Sequence, residues 1–149
     1  MGLKVIKLSK EHLEMCVDLF IDTFSRAPWN DKYDSREQVR DLFTNHMRNN
    51  YFLGYIGYIG LIDNKVIALS LGMKKPWING MEYYINEFCI GYDFQGKGIG
   101  SLFLKNIEEL LSNEGVDGMI LNTEREFPSC SFYKKNGFKI LGDLVVMGK

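Results

Sequence analysis

A chain of 149 residues with 46% apolar and 25% charged side chains holds enough apolar material for one core and is no disordered tract. Its net charge of -1 and its unclustered basic residues argue against nucleic acid or anionic lipid as a partner. No apolar run reaches membrane-span length, and Met1-Gly2-Leu3-Lys4 lacks a signal-peptide core.

The first predicted element is a short strand, Leu3 to Leu8. Ser9 is placed to cap a helix in which Leu13, Cys16, Val17, Phe20 and Phe24 recur at helical spacing. Pro28 breaks the pattern, and Trp29, Asn30, Asp31 and Tyr33 make a polar-aromatic loop. Ser35 caps a second amphipathic helix marked by Val39, Leu42, Phe43, His46 and Met47 and closed by Asn49-Asn50. Tyr51 to Ile62, rich in aromatic and β-branched residues, reads as a strand. Asp63-Asn64 turns it into a returning strand, Val66 to Met73. Pro76 to Gly80 reads as a loop, and Met81 to Tyr92 as a long central strand. A period of two puts Tyr83, Ile85, Glu87 and Cys89 on one of its faces.

Gln95-Gly96-Lys97-Gly98-Ile99-Gly100 follows that strand directly and opens a third helix, Ser101 to Asn113, with Gly115 as its C′ residue. Glycines let the backbone curl without side chains in the way, and the amides of the turn and of the helix start then converge where the helix dipole favours an anion. Lys97 can add a cation. The spacing fits neither the Rossmann fingerprint nor a Walker loop. Met119 to Thr123 is an apolar strand, and Ser129 to Lys135 a short helix stopped by Asn136-Gly137. Phe138 to Leu141 and Leu144 to Met147 read as two last strands. The expected order is βααβββαβαββ in one domain spanning residues 1–149. That gives a mixed α/β fold with a mostly antiparallel sheet of about seven strands, one parallel crossover and helices on both faces. Cys16, Cys89 and Cys130 lack metal-like spacing. They read as free thiols in a reducing cytoplasm, and no metal is expected.

Two stretches carry a resemblance. Phe88-Cys89-Ile90 followed by Gln95 to Gly100 is similar to the strand and Gln/Arg-x-x-Gly-x-Gly/Ala signature of the GNAT superfamily of acetyl-CoA-dependent N-acetyltransferases. Ser129-x-x-Phe132-Tyr133-Lys134-Lys135-Asn136-Gly137-Phe138 is similar to that family's Ala-x-x-Phe-Tyr-x-Lys-x-Gly-Phe. The element order extends the likeness over nearly the whole chain. Two positions depart: Tyr92 stands where many members carry proline, and Glu126 where many carry asparagine. Asn122 and Thr123 are offered for the asparagine's polar role.

The resemblance implies acetyl-CoA lying between the central strand and the strand at Met119 to Thr123. Its pantetheine would pair with backbone at Phe88, Cys89 and Ile90, and its pyrophosphate would sit on the amides of Gln95, Gly96, Lys97, Gly98, Ile99, Gly100 and Ser101. Asn122 and Tyr133 would complete the cofactor contacts, and an amide near Ile90 would polarise the thioester carbonyl. Transfer needs a base for the amine and an acid for the departing thiolate. The resemblance gives Tyr133 as the acid, set against its reading as a packed aromatic. Glu87 is offered as the base, against its reading as an ion-paired carboxylate, with His46 or water in reserve. Direct transfer leaves Cys89 and Cys130 as buried neutral thiols. Loops at 26–34, 76–82 and 124–128 would form the acceptor site, with Trp29, Tyr33, His46, Trp77, Tyr83 and Glu87 as its lining and Phe127 and the carboxylates Asp31, Asp34, Glu82, Glu124 and Glu126 nearby. Aromatics with carboxylates suit a cationic, aminoglycoside-like or polyamine-like amine.

Three functions compete. The acceptor is a small molecule's primary amine, or a protein or peptide N-terminus or lysine, or there is no acceptor and the domain is an acyl-CoA-binding sensor. Keeping Tyr133 and Glu87 favours an enzyme. The family often dimerises, so a homodimer is among the expectations.

Overall fold

The computed structural model describes residues 2–49 and 55–149. In chain order the elements are β1 (Lys4–Lys7), α1 (Leu13–Phe24), α2 (Arg36–Asn49), β2 (Tyr55–Ile62), β3 (Lys65–Trp77), β4 (Gly80–Ile90), α3 (Ile99–Asn113), β5 (Val116–Leu121) and α4 (Pro128–Lys135). The expected starts of a strand at Tyr51 and of a helix stop at Asn50 lie outside the described residues. The strands form one sheet in the order β1-β2-β3-β4-β5. All neighbours are antiparallel except β4 and β5, which α3 connects as a parallel pair.

Local chemistry accounts for the hairpins. Asp63 and Asn64 both adopt positive φ, 50° and 62°, the conformation that a two-residue turn between twisted strands requires. The second hairpin is tighter than the sequence suggests. Trp77 pairs with Gly80 across Ile78-Asn79, so Pro76, expected in a loop, pairs with Met81 near the end of β3. The pairing there leaves proline's missing donor tolerable, as it is near a strand end.

Two cores flank the sheet. On one face, α3 packs Phe103, Leu104, Ile107 and Leu111 against Tyr58, Tyr83, Ile85 and Ile90. On the other, Leu13, Cys16, Val17 and Phe20 of α1 and Val39 and Phe43 of α2 pack against Ile59, Leu69, Leu71 and Cys89. Arg36 reaches Glu14 and Asp18, and Arg40 reaches Glu14 at 2.8 Å, tying α2 to α1 across their exposed edges. Such exposed pairs set orientation more than stability.

The membership of the two cores reveals a break in β4. Ile85 faces Gly72 and Glu87 faces Leu71, so Asn86 is an extra residue with no partner on β3. Before it, Tyr83 and Ile85 point to the α3 face; after it, Phe88 and Ile90 do. Glu87, opposite Leu71, and Cys89 therefore turn to the α1 face. The alternation that set Tyr83, Ile85, Glu87 and Cys89 together is corrected at this point: a period of two holds only while every residue is paired.

Gly72 is what allows Tyr83 to lie flat at the break. A methyl group there would overlap the Tyr83 ring and the Tyr84 carbonyl oxygen, and the latter is backbone. Gly72→Ala is expected to destabilise the fold by about 2–3 kcal/mol, seen as a lower urea midpoint at unchanged slope.

The sheet has five strands among the described residues, where seven were expected. The stretches Phe138 to Leu141 and Leu144 to Met147 form no strand. Phe138 is anchored, its amide donating to the Tyr133 carbonyl at 3.0 Å, and a turn brings the Leu144 amide to the Leu141 carbonyl. Beyond that the segment stands off from β5 across a hollow of about 900 Å³, with Val145, Val146 and Met147 exposed. The pattern of these residues expresses strand propensity, which becomes a strand only where an edge and burial are both within reach.

Candidate active site

The pairing of β4 with β5 runs from Met81–Val116 to Ile85–Leu121 and then stops. β4 continues to Ile90, held by β3 on its other edge alone. From Asn86 to Ile90 this edge of the strand has no strand partner and faces the gap that β5 leaves as it diverges, with only the Ile90 carbonyl already taken, by the Gln95 side chain. This is the template on which an extended amide-bearing chain adds like another strand. Phe88, Cys89 and Ile90 all lie on this edge; the Phe88 ring itself is packed between Phe103, at 5.5 Å, and Phe132, at 5.7 Å.

The gap leads to the glycine loop. Gly96 and Gly98 have φ of 71° and 78°, and a side chain at either would meet nothing within 4 Å. Gly98 is the N-cap of α3. None of the amides from Gly96 to Ser101 donates to a backbone carbonyl outside the helix, and the first turn of a helix supplies no partner of its own. The result is an open cup of unpaired N–H groups at the positive end of α3, a fit for a diphosphate. The side chains brace it. Gln95 donates through Nε2 to the Ile90 carbonyl at 2.8 Å, and the Lys97 ammonium donates to the Asp93 carbonyl at 2.7 Å. Lys97, expected as an added cation, is thus turned onto its own loop. Gly100 sits close under Phe132, which a Cβ there would approach to 3.1 Å. Asn122 donates to the Tyr84 hydroxyl at 2.6 Å, bridging the two strands just where they part. Neither sequence motif pointed to Tyr84.

Tyr133 projects from α4 into the divergence. Its ring touches those of Phe88, Phe132 and Phe138 at centroid separations of 6.0, 5.2 and 5.3 Å. Burial raises its hydroxyl well above the usual phenol range, with Cys89 and Glu87 nearby adding to the shift. At neutral pH it is a proton donor and not a phenolate.

Glu87 enters from the α1 face. Burial, with a smaller contribution from the negative Asp31, pushes its carboxyl up to about 7. It forms no ion pair among the described residues, so the structural alternative of a paired carboxylate is not realised there. The Tyr33 hydroxyl reaches Asp31 Oδ2 at 3.4 Å, and its titration is raised by burial first, then by Asp31, and further by Glu87 and Cys89. Trp29 bridges Phe24, at 5.2 Å, and Phe127, at 6.2 Å, so the loop after α1 is stacked onto the loop before α4.

The remaining expected residues do not join this group. Tyr83 is wholly buried on the opposite face, its hydroxyl 2.8 Å from that of Ser70. Trp77 is 60% exposed at the hairpin tip, opposite Gly80. Along β4 the tip is about 20 Å or more from Glu87 at the usual rise per residue, too far for one small acceptor to span. His46 is half-buried on α2, which lowers its pKa, and no charge coupling links it to Glu87. Cys89 is buried and its thiol pushed far up by desolvation; Cys16 is raised to about 12 by the same cause. Neither is a thiolate at neutral pH. Among the described residues no three His, Cys, Asp or Glu side chains group as metal ligands, and no helix is long and apolar enough to cross a membrane.

Comparison with known proteins bears on the family and the fold. The family described as acetyltransferase (GNAT) matches residues 13–138. Among solved structures, a GNAT family acetyltransferase from Staphylococcus aureus is 15% identical, with a TM-score of 0.75 and 100% of each chain covered. The AAC(6')-Iy structure in complex with a CoA-S-monomethyl-acetylneamine bisubstrate analogue is 15% identical, with a TM-score of 0.75, covering 100% of this chain and 99% of that one. An aminoglycoside acetyltransferase from an uncultured soil metagenomic sample, in complex with sisomicin, is 14% identical, with a TM-score of 0.72 and coverage of 99% and 95%. At such identities these likenesses speak for the fold.

Proposed function

The chain belongs to the acetyltransferase (GNAT) family, acyltransferases that use acetyl-CoA, and on that premise we propose that it moves an acetyl group directly to a primary amine of a small molecule, with Glu87 as base and Tyr133 as acid. The observation that carries this reading is the free edge of β4 from Asn86 to Ile90, running into the cup of unpaired amides, with Glu87 and Tyr133 brought to the same gap from different elements.

Acetyl-CoA supplies the acyl group as a thioester. The edge at Phe88, Cys89 and Ile90 aligns the pantetheine, and the amides from Gly96 to Ser101 take the diphosphate; the Gln95 amide, expected among them, donates instead to the Tyr92 carbonyl at 3.2 Å. Glu87, titrating near neutrality, accepts a proton from the acceptor's ammonium, directly or through a water, and frees the nitrogen lone pair for attack. A backbone amide near Ile90 stabilises the oxyanion formed when the nitrogen adds to the carbonyl. The nitrogen then gives its surplus proton to water, the oxyanion re-forms the carbonyl and the C–S bond breaks. Tyr133, kept neutral by burial, gives its hydroxyl proton to the leaving sulfur and recovers one from solvent. The aromatic wall of Trp29, Tyr33 and Phe127 beside carboxylates suits a cationic acceptor, aminoglycoside-like or polyamine-like. The aminoglycoside ligands in two structural neighbours support the same class. A cytoplasmic setting belongs to this reading; Cys16, Cys89 and Cys130 are unpaired and buried.

Release of free thiol from acetyl-CoA against a panel of small amines and peptides tests the proposal. Turnover on peptides alone would move the acceptor to a protein terminus or lysine. Tight acetyl-CoA binding with no turnover on any amine would make the protein a sensor. Within the enzyme reading, Tyr133→Phe is expected to lower kcat by about tenfold to a hundredfold while leaving acetyl-CoA affinity within about twofold. Equal turnover would leave Tyr133 as packing for Phe88 and Phe138.

A further inference from the structure

We propose that Asn86 is an acceptor-binding residue whose side-chain carbonyl oxygen takes a hydrogen bond from the attacking nitrogen and holds it beside Glu87. The inference rests on the acetyltransferase reading and adds the group that positions the amine.

The bulge in β4 brings the two side chains together. Ile85 and Phe88 both pack on the α3 side, with two residues between them where a regular strand has one. The intervening pair, Asn86 and Glu87, therefore turns to the opposite face, side by side. Tyr84, two residues before Asn86, shares that face. Its hydroxyl accepts from Asn122 at 2.6 Å, and it lines the same hollow as Tyr133. Ile85 makes the last pair with β5, through Leu121, and Asn86 pairs with neither neighbouring strand. Asn86 is thus the first residue of the open edge, next to the proposed base and at the point where the strands part.

The carboxamide of Asn86 is unanswered. The residue is half-buried, yet its Oδ1 is shut off from solvent and has no hydrogen-bond partner among the described residues. Thr23, Tyr55 and Tyr58 also hold buried polar atoms without a partner, but theirs are hydroxyls, which donate as well as accept. A carboxamide oxygen only accepts, and a buried acceptor left bare costs stability. An amine supplies the missing donor. An ammonium brings three N–H groups to the site. One proton passes to Glu87, a second N–H points at Asn86 Oδ1, and the freed lone pair is turned toward the open edge along which the thioester would lie. An amide suits this task because it is neutral and not basic. It takes the hydrogen bond without competing for the proton and without setting a second negative charge against Glu87.

The test pairs Asn86→Leu, which keeps the volume and removes the acceptor, with Asn86→Asp, which keeps the oxygen. The acceptor is 1,4-diaminobutane, or the fastest amine of the panel where that one is not turned over. Asn86→Leu should lower kcat/KM for the amine by about tenfold or more, with the KM for acetyl-CoA within about twofold. Asn86→Asp, assayed well above neutrality so that Glu87 is ionised, should recover most of that loss. Asn86→Leu should also melt no lower than the wild type, and up to about 4 °C higher, because the bare acceptor is gone. Unchanged kcat/KM in Asn86→Leu, an Asn86→Asp variant equally slow, or a lowered melting temperature would each overturn the proposal. If the wild type releases no thiol with any amine of the panel, it is the acetyltransferase reading that fails. Calorimetric titration of 1,4-diaminobutane into the coenzyme A complex then decides on Asn86: binding lost in Asn86→Leu sustains the role, and absent or unchanged binding ends it.

Discussion

Glu87→Gln should lower kcat by about a hundredfold or more and abolish the acid limb of the pH–rate profile. In the wild type, kcat is expected to rise with pH and level off above an apparent midpoint of about 7, where the carboxyl releases its proton. The cause is chiefly burial, since ionising a group inside the α1 face costs solvation; Asp31 adds a like charge. Glutamine keeps the shape and accepts no proton, so the residual rate should follow the free amine in solution. A second signature lies in stability. The folded carboxyl titrates near 7 against 4.5 in the unfolded chain, so between those values the native state keeps a proton that the unfolded state has released. The stability linked to that proton is complete below the unfolded value and is lost as pH rises through the folded one. Glu87→Gln should thus be nearly neutral for stability at about pH 4 and stabilising at about pH 8, by an amount on the order of 1–3 kcal/mol. A site that gains stability when its base is removed is one built for function against fold. If the variant kept both the rate and its pH dependence, Glu87 would have no part in proton transfer, and water or His46 would be the next candidate.

The parts of this site that rest on backbone type were legible in the sequence. Gly96 and Gly98 declare a left-handed curl because few other residues adopt one, and the helical spacing of Phe103, Ile107 and Leu111 declares the helix that follows. The Asp63-Asn64 turn is of the same kind. What stayed hidden depends on pairing between distant segments. Asn86 carries no local mark of a bulge; the break exists because β3 offers Leu71 and Gly72 to Glu87 and Ile85 with nothing left for it. That one unpaired residue sends Tyr83 into the α3 core and Glu87 toward Asp31, so a strict alternation assigns the two to the same face wrongly. Trp77 erred as well: an aromatic beside a proline suggests a pocket wall, but the two-residue turn puts it at the far tip of the longest hairpin. The last strands failed for the same reason as the bulge, since propensity in Leu144 to Met147 says nothing about whether an edge is near enough to pair.

Gly98→Asp is expected to weaken acetyl-CoA binding by about a hundredfold or more, measured by calorimetry at low ionic strength. Gly98 sits at φ 78° and ψ 0° as the N-cap of α3, and nothing within 4 Å fills the space a Cβ would enter. A carboxylate there would stand inside the cup formed by the amides of Gly96 to Ser101. It would accept their hydrogen bonds itself, as capping aspartates do, and repel two phosphate charges from the same spot. The left-handed conformation adds a cost that is not electrostatic. Asparagine separates the two effects, because it has the same shape and tolerates the same φ but carries no charge. Gly98→Asn should therefore fold like Gly98→Asp and lose less than about tenfold in affinity. The difference between the two variants should shrink as salt is raised, because the cup opens to solvent and its charges are screened there. Equal affinities for aspartate, asparagine and glycine would mean that no diphosphate rests on these amides, and the route from the free edge of β4 to the start of α3 would have to carry something else.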